Sequence, residues 1–485
     1  MSNPPTIAIV GAGFSGSLVA AHLLRQANSP LTVHLIERTP GQFGRGVAYS
    51  TVLDCHLLNV PARNMSAFPD DPEHFLRWAR TREKELLSTP CVSEVSPDAF
   101  LPRSAYGDYI GAILNEAERG AGHGVRLERY LNEVVGLRDD GSALTLRLAH
   151  NGSRRADKAV LALGNFTPGD PPIGDGSFYR SPRYFSNPWA PNVLAGLWSS
   201  KSCLMIGSGL TMVDWAITLN QAGYRGTIHS VSRRGLWPQA HRKVDPVDFR
   251  IDPASSAPKL RSWLHQIHEF LRESGSDWRA AIDALRPSNQ TLWKSLPLPE
   301  KRRFLRHLQP YWDCHRHRLA PVVAERLNRL VESGQLVGHA GRILGYQENE
   351  SGVEVSIHYR GSDEVYRLQV DAVVNCSGSE CNYRKLESPL IRDLLQQGLF
   401  HPDPLSLGLD VGSDGALVGA NGEASNRLFS LGPPQKGVLW ETTAVPEIRG
   451  QAANLARHLL EDDPTRWAEG VTLTAQSSRM SMSTR

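Results

Sequence analysis

Two glycine-rich turns of one design, set in matching surroundings, constrain this chain more than any other feature. The first is Gly11-Ala-Gly13-Phe-Ser15-Gly16, which follows an apolar run at residues 6–10 and opens a helical run at 17–26. A second apolar run, 31–36, then ends in Glu37. The other turn is Gly207-Ser-Gly209-Leu-Thr-Met212, between the apolar run 202–206 and a helical run at 213–221. The next run, 227–231, leads into Ser232-Arg233-Arg234-Gly235. Glu37 stands 26 positions after Gly11, and Arg233 stands 26 after Gly207. Strand, tight turn, helix and strand in this order predict a βαβ unit. The chain predicts two.

Each position in the turn has a physical task. Gly11 permits the reversal. Gly13 lets backbone N–H groups approach a pyrophosphate at the helix N-terminus, where the helix dipole favours anions. Gly16 lets helix and strand pack closely. Glu37 can accept hydrogen bonds from ribose hydroxyls and repels a 2′-phosphate, whereas an arginine in its place accommodates one. The first turn therefore suits the ADP part of FAD, and the second, with Arg233 and Arg234, suits NADP(H). Met212 replaces the third glycine of the second turn. The alternatives are a βαβ unit without a ligand and an arginine pair that merely solvates a strand end.

The chain also repeats itself on a larger scale. Residues 133–164 alternate short strands with glycine turns and end in a buried run closing at Gly164. Residues 342–378 follow the same order and close at Gly378. Alternation between glycine turns is the hairpin signal. The fold expected is α/β: two Rossmann-like dinucleotide-binding domains, each with a β-meander, plus a helical insertion at about 255–335 marked by apolar periodicity. Residues 1–165 and 370–465 would form a discontinuous FAD-binding domain, and 166–369 the NAD(P)H-binding domain. Residues 466–485 would be a disordered tail. Ligands bind at the carboxyl ends of the strands in such sheets, so both sites should face one cleft. A strand, loop and helix at 427–460 would return to complete the first domain.

Composition narrows the partners. The 485 residues carry a net charge of +3, with 40% hydrophobic and 21% charged residues. That balance fits a globular protein and argues against nucleic acid or a membrane as partner. Six cysteines in a chain of this length do not make a disulfide scaffold. The start of the chain lacks a basic segment before its apolar run, so a cytoplasmic protein is expected.

With these blocks in place, the chain resembles the bacterial FAD/NAD(P)-binding protein family within the two-dinucleotide-binding-domain flavoproteins. The matching residues are Ile9 to Gly16, Gly46-Val-Ala-Tyr49, Leu58-Asn59-Val-Pro61, Pro102-Arg103 with Tyr106-Gly107, Ile206-Gly207-Ser-Gly209, and Leu431-Gly432-Pro433 with Trp440-Glu441. The resemblance implies FAD and NADP(H) as cofactors. It implies a cofactor-binding set made of Gly11, Gly13, Ser15, Gly16, Glu37, Arg38, Arg45, Asn59, Arg103, Gly164, Gly207, Gly209, Arg233, Arg234, Gly378, Gly432, Trp440 and Glu441. For Trp440 and Glu441 the alternative is simple packing and a surface acid. The wider superfamily includes NADPH-using monooxygenases, flavin N-hydroxylases and disulfide reductases.

The expected activity is NADPH-driven reduction of FAD in a monooxygenase of a small molecule, with N-hydroxylation as one form of it. Alternatives are an NAD(P)H-dependent reductase or oxidase, and a non-catalytic redox sensor. No thiol pair follows Glu37, and the C-x-x-x-x-C pair Cys376 and Cys381 lies far from the usual place. Trp312-Asp-Cys-His315-Arg316-His317-Arg318 could bind an anionic substrate or order the nicotinamide, or be a solvated helix face. The segment 237–242, with His241, could border the NADP phosphates or be ordinary loop. His56 has no partner visible in sequence. No metal site is expected, and no residue declares itself catalytic.

Overall fold

In the computed structural model, residues 4–150, 152–253 and 258–461 are described. β1 (Thr6–Val10), α1 (Phe14–Gln26) and β2 (Leu31–Glu37) form the first βαβ unit. A long excursion carries α2 (Gly46–Tyr49), α3 (His74–Arg80), α4 (Glu83–Leu87) and α5 (Arg103–Arg119) before β3 (Val125–Leu131). A meander follows, β4 (Val134–Asp139), β5 (Leu144–Leu148) and β6 (Ser153–Ala156), and then β7 (Lys158–Leu161). β8 (Tyr184–Phe185), α6 (Val193–Trp198), β9 (Ser202–Ile206), α7 (Leu210–Gln221) and β10 (Thr227–Ser232) make the second unit. The insertion holds α8 (Leu260–Ser274), α9 (Trp278–Leu285), α10 (Asn289–Ser295), α11 (Leu298–His307), α12 (Gln309–Arg316) and α13 (Pro321–Glu332). The chain ends with β11 (Leu336–Asn349), β12 (Gly352–Tyr359), β13 (Val365–Val370), β14 (Ala372–Asn375), α14 (Pro389–Gln396), β15 (Ala416–Val418), β16 (Ala424–Ser430) and α15 (Val445–Glu461).

Two sheets carry the architecture. The first runs β15-β16-β7-β1-β2-β3 and the second β13-β12-β11-β10-β9-β14-β8. Each glycine-turn strand lies between the strand of its own unit and the buried strand that follows the meander: β1 between β2 and β7, β9 between β10 and β14, all parallel. The internal repeat is thus a repeat of sheet order. All seven residues of β2 and all four of β7 are buried, as parallel strands covered on both faces must be. α1, α5 and α15 cover one face of the first sheet, while the meander and α14 cover the other.

The two meanders differ. In the first half β3 and β4 are separate strands, and β4-β5-β6 forms its own three-stranded sheet. Asn132 makes the break: its side chain accepts from the N–H groups of Glu133 and His150 and donates to the His150 carbonyl. In the second half the single 14-residue β11 pairs with β10 and then bends to pair with β12, with a register shift at Ile343/Gly345.

A division at residue 370 needs correction. β14 pairs with β9 (Ala372↔Cys203, Val374↔Met205) and belongs to the second sheet. Its four residues are all buried and need a strand on each side, which β9 and β8 supply. The chain rejoins the first unit after that strand, where Tyr383, Leu386 and α14 pack on the first meander. β16 then pairs with β7, so the final strand and helix complete the first sheet. The tail expected at 466–485 lies outside the described residues. Among the described residues no helix is long and apolar enough to cross a membrane.

Candidate functional site

The first glycine turn is a tight junction with an open helix end. Gly11 has φ +99°, and a side chain there would strike the Ala162 carbonyl oxygen. A Cβ on Gly16 would collide with the Gly11 carbonyl oxygen, so this glycine seats the helix on the strand. Gly13 begins α1 with no side-chain cap, which leaves the first-turn N–H groups to a ligand. A Cβ on Gly13 would lie 3.1 Å from Gly46 Cα, because the loop at 41–46 lies across the turn. Gly432, with φ +75°, brings the turn after β16 to the same place: a Cβ there would stand 3.0 Å from Ser15 Oγ. The Gly432 N–H donates to Gln451 Oε1, and its carbonyl accepts from Thr442 Oγ1. Gly11, Gly13, Ser15, Gly16 and Gly432 therefore converge.

Glu37 is buried and joins them. One carboxylate oxygen accepts from Ala12 N at 2.9 Å and the other from Thr39 N at 3.0 Å. Each oxygen keeps a lone pair for a hydroxyl donor. The uncapped N–H groups, the cradle that side chains would fill and this buried acceptor together fit a dinucleotide. Arg38 stands apart, exposed and 3.7 Å from Glu133. Arg45 pairs with Asp108 of α5 and lines a cavity of about 320 Å³ with Phe43, Arg82 and Asn115.

Arg103, expected among the cofactor-binding residues, spends its guanidinium on protein groups. Its guanidinium grips Asp214 of α7 with bonds of 2.6 and 3.1 Å and donates from Nε to the Leu57 carbonyl. The Asp214 carboxylate takes both arms of the fork, and it lies in the other unit. Asn59 meets the second unit through its backbone, where its carbonyl is 3.0 Å from His241 Nε2. His241 also packs on Phe100, and Trp237 packs against Gly338, so segment 237–242 bridges units. Burial pushes the His241 imidazole down to about 4. His56 is buried between Thr51 and Thr218, at 2.8 Å from each hydroxyl, and burial lowers its pKa.

The second glycine turn matches the first. Gly207 has φ +107° and faces the Cys376 carbonyl; Gly209 opens α7 uncapped, with free space where its Cβ would be. Met212 is fully buried in the core of this unit. Ser208 Oγ bonds Ser232 Oγ (2.9 Å) and the Leu236 carbonyl (2.6 Å), which holds the strand-end loop against the turn. Arg233 is exposed and lines a cleft of about 400 Å³ with Arg302, Leu305 and Arg306 of α11 and with Pro404 and Leu405. Arg234 turns away: it bonds Tyr311 Oη and the His307 carbonyl and lies over the Tyr311 ring. Gly164 and Gly378 both have positive φ and open surroundings at the ends of β7 and β14. The segments after those strands touch: Glu380 N donates to the Thr167 carbonyl and Asn375 Nδ2 to the Gly169 carbonyl. The carboxyl ends of both sheets thus meet.

Trp440 and Glu441 lie deeper than a surface site. Trp440 completes the core of the insertion, 4.8 Å from the Trp293 ring and 5.0 Å from Phe304. Glu441, 5% exposed, pairs with Arg316 at 3.1 Å and accepts from Trp312 Nε1. Arg286 grips Glu447 at the start of α15 with two bonds. Arg318 is buried against Asp283. So α12 is no solvated face: its Arg316, with Arg286, ties the insertion to the segment leading into α15. Asp313 and His317, 3.8 Å apart, keep part of their surface open, yet burial raises the Asp313 pKa and lowers that of His317. Lys436 stands near both.

All six cysteines are free thiols. Burial pushes the Cys376 and Cys381 thiols up, which disfavours thiolate. Among the described residues no cluster of metal-binding side chains occurs. Sequence reading missed Arg302 and Arg306, which a basic stretch of helix does not single out, and Gln451 and Thr442, which only the fold brings to Gly432.

Comparisons with known proteins agree with this geometry. Residues 8–166 match a protein family described as FAD-NAD(P)-binding. No curated protein sequence matches. Among solved structures, L-lysine 6-monooxygenase from Pseudomonas syringae is 18% identical, with TM-score 0.63, covering 94% of this chain and 99% of that one. The FAD-bound cadaverine monooxygenase DfoA from Erwinia amylovora is 16% identical, with TM-score 0.63 and coverage of 96% and 95%. The ornithine N-hydroxylase KtzI from Kutzneria, solved with reduced FAD, NADP+ and L-ornithine, is 14% identical, with TM-score 0.60 and coverage of 94% and 98%. At such identities the likeness shows the fold, a two-unit flavoprotein fold spanning nearly the whole of each chain.

Proposed function

We propose that this protein is an FAD-dependent monooxygenase that takes its electrons from NADPH and hydroxylates an amine nitrogen of a small molecule. The observation that carries the reading is the pair of uncapped glycine-turn helices, one beside a buried glutamate and the other beside an exposed arginine, on sheets whose carboxyl ends meet. Bound FAD would supply the hydride acceptance and the oxygen chemistry. The structural neighbours, a lysine 6-monooxygenase, an ornithine N-hydroxylase and a cadaverine monooxygenase, favour nitrogen as the atom modified.

The chain's own residues then have defined tasks. The backbone N–H groups at Gly13 to Ser15 hold the FAD pyrophosphate, and Glu37 takes the ribose hydroxyls. Gly432 leaves room at Ser15 for the same group. Gly209 and Arg233 do the corresponding work for NADPH. The insertion is held to the segment leading into α15 through Glu441 and Glu447.

The test is anaerobic reduction of the purified holoprotein by NADPH, followed by mixing with oxygen in the presence of L-ornithine, L-lysine or cadaverine. Hydroxylamine product formed in step with NADPH loss is expected. Rapid NADPH oxidation that yields only hydrogen peroxide with every amine would indicate an oxidase. No reduction at all would indicate a binding or sensing role.

A further inference from the structure

The cleft beside Arg233 is lined by three guanidiniums from two parts of the chain. Arg302 and Arg306 are four residues apart on α11 and so share one helical face, and both line the cleft with Arg233. All three are exposed, and among the described residues none has a carboxylate within ion-pair distance. Their neighbour Arg303, by contrast, is paired with Glu300. The surroundings are cationic as well. A hydrogen bond from Arg360, aided by Arg234, draws the Tyr311 phenol below its ordinary pKa. Like charges held together without a counterion repel, so such a convergence is built for an anion. The place defines which anion. Arg233 directly follows β10, whose end is pinned to the second glycine turn through Ser208 and Ser232. That is where the adenosine ribose of a bound dinucleotide ends.

We infer that Arg302 and Arg306 complete, with Arg233, the seat of the NADPH 2′-phosphate, so that the helical insertion reads the cofactor together with the strand end. The inference rests on the second turn being an NADPH site. It also reassigns Arg234, whose guanidinium is engaged on Tyr311 and the His307 carbonyl, to holding α11 and α12 beside the strand end. The wall opposite α11 is Pro404 and Leu405, which come from the loop before β15. The seat is therefore complete only when insertion and both nucleotide units are assembled.

The experiment is calorimetric binding of NADPH, NADH, 2′-AMP and 5′-AMP to the oxidised holoprotein. It is repeated for Arg302→Gln, Arg306→Gln, their double variant, Arg233→Gln and, as control, Arg303→Gln. Charge-assisted phosphate contacts at an exposed site predict a loss of about three- to tenfold in NADPH and 2′-AMP affinity for each single variant. The double variant should lose more, while NADH, 5′-AMP and the control stay unchanged. If the double variant keeps its preference for NADPH while Arg233→Gln loses it, the strand end alone reads the phosphate and the inference fails. Equal losses for NADPH and NADH would also overturn it, because the arginines would then touch a part common to both. A native protein that does not distinguish NADPH from NADH defeats both the inference and the reading of the second turn beneath it.

Discussion

Arg103 and Asp214 form a two-point ion pair across the two nucleotide units, with both side chains largely buried, at 18% and 11% exposure. Arg103 opens α5 and Asp214 sits in α7, 111 residues further on. Removing one partner strands the other charge in a poorly solvated place, at a cost of about 3 kcal/mol or more. Asp214→Leu and Arg103→Met should each lower the thermal midpoint of the holoprotein clearly. The double variant should recover most of the loss. A double variant as damaged as the sum of the two singles would show that the residues do not act as a pair.

Gly13→Val should yield folded protein without flavin. The new side chain meets Gly46 Cα at 3.1 Å and blocks the approach to the helix end. Circular dichroism checks the fold and the visible absorbance checks the flavin. Gly16→Val is the contrast, because a side chain there drives into the Gly11 carbonyl and should prevent folding. Stoichiometric flavin in folded Gly13→Val would remove this turn from the cofactor site.

Glu441→Gln should loosen the insertion. Arg316 would lose its 3.1 Å carboxylate partner and keep only Glu447 at 3.8 Å, while its buried Nε already lacks an acceptor. A buried cation left with one distant partner is destabilising. Hydrogen exchange in α12 should quicken while exchange in β1 and β9 stays slow. Uniform quickening everywhere would mean that this cluster belongs to global stability instead.

Stability should fall as the pH drops below about 6.5. His22, His229 and His241 are each held near 4 by burial, against 6.5 for a free imidazole. Their folded pKa values lie below the unfolded ones, so the unfolded chain binds more protons between pH 6.5 and 4. The stability they confer is complete above 6.5 and is lost as the pH falls through 4, at a slope of at most about 1.4 kcal/mol per pH unit for each group. Unfolding midpoints at pH 7 and pH 5 check this, and His241→Gln should flatten the slope. An unchanged slope would show that His241 is not buried as a neutral ring.

Much of this protein could be read in advance because its informative features are local. A glycine turn between an apolar run and a helix announces itself within a dozen residues, and it located both Gly11 and Gly207. The order of the meanders was equally visible. Pairings across the chain were not. Nothing near Arg103 in sequence hints at its pairing with Asp214. Glu441 reads as a cofactor residue, with a surface acid as the alternative, because its partner Arg316 lies 125 positions earlier. The strand at Ala372–Asn375 was placed with the wrong sheet, since a buried apolar run carries no mark of which neighbours it pairs with. Arg302 and Arg306 differ from Arg303 only in where the helix points them.

Trp440 has a consequence for how the molecule is made. It fills the centre of the helical insertion, together with Leu405 and Leu407, although all three belong to a stretch of chain synthesised long after those helices. As the polypeptide emerges from a ribosome, α8 to α11 are exposed well before these side chains exist to cover them. The insertion must therefore wait, part-formed and with apolar surface open, until the end of the chain arrives. A ribosome-bound chain halted at residue 400 should be cut by protease within the insertion, and one halted well beyond residue 440 should resist.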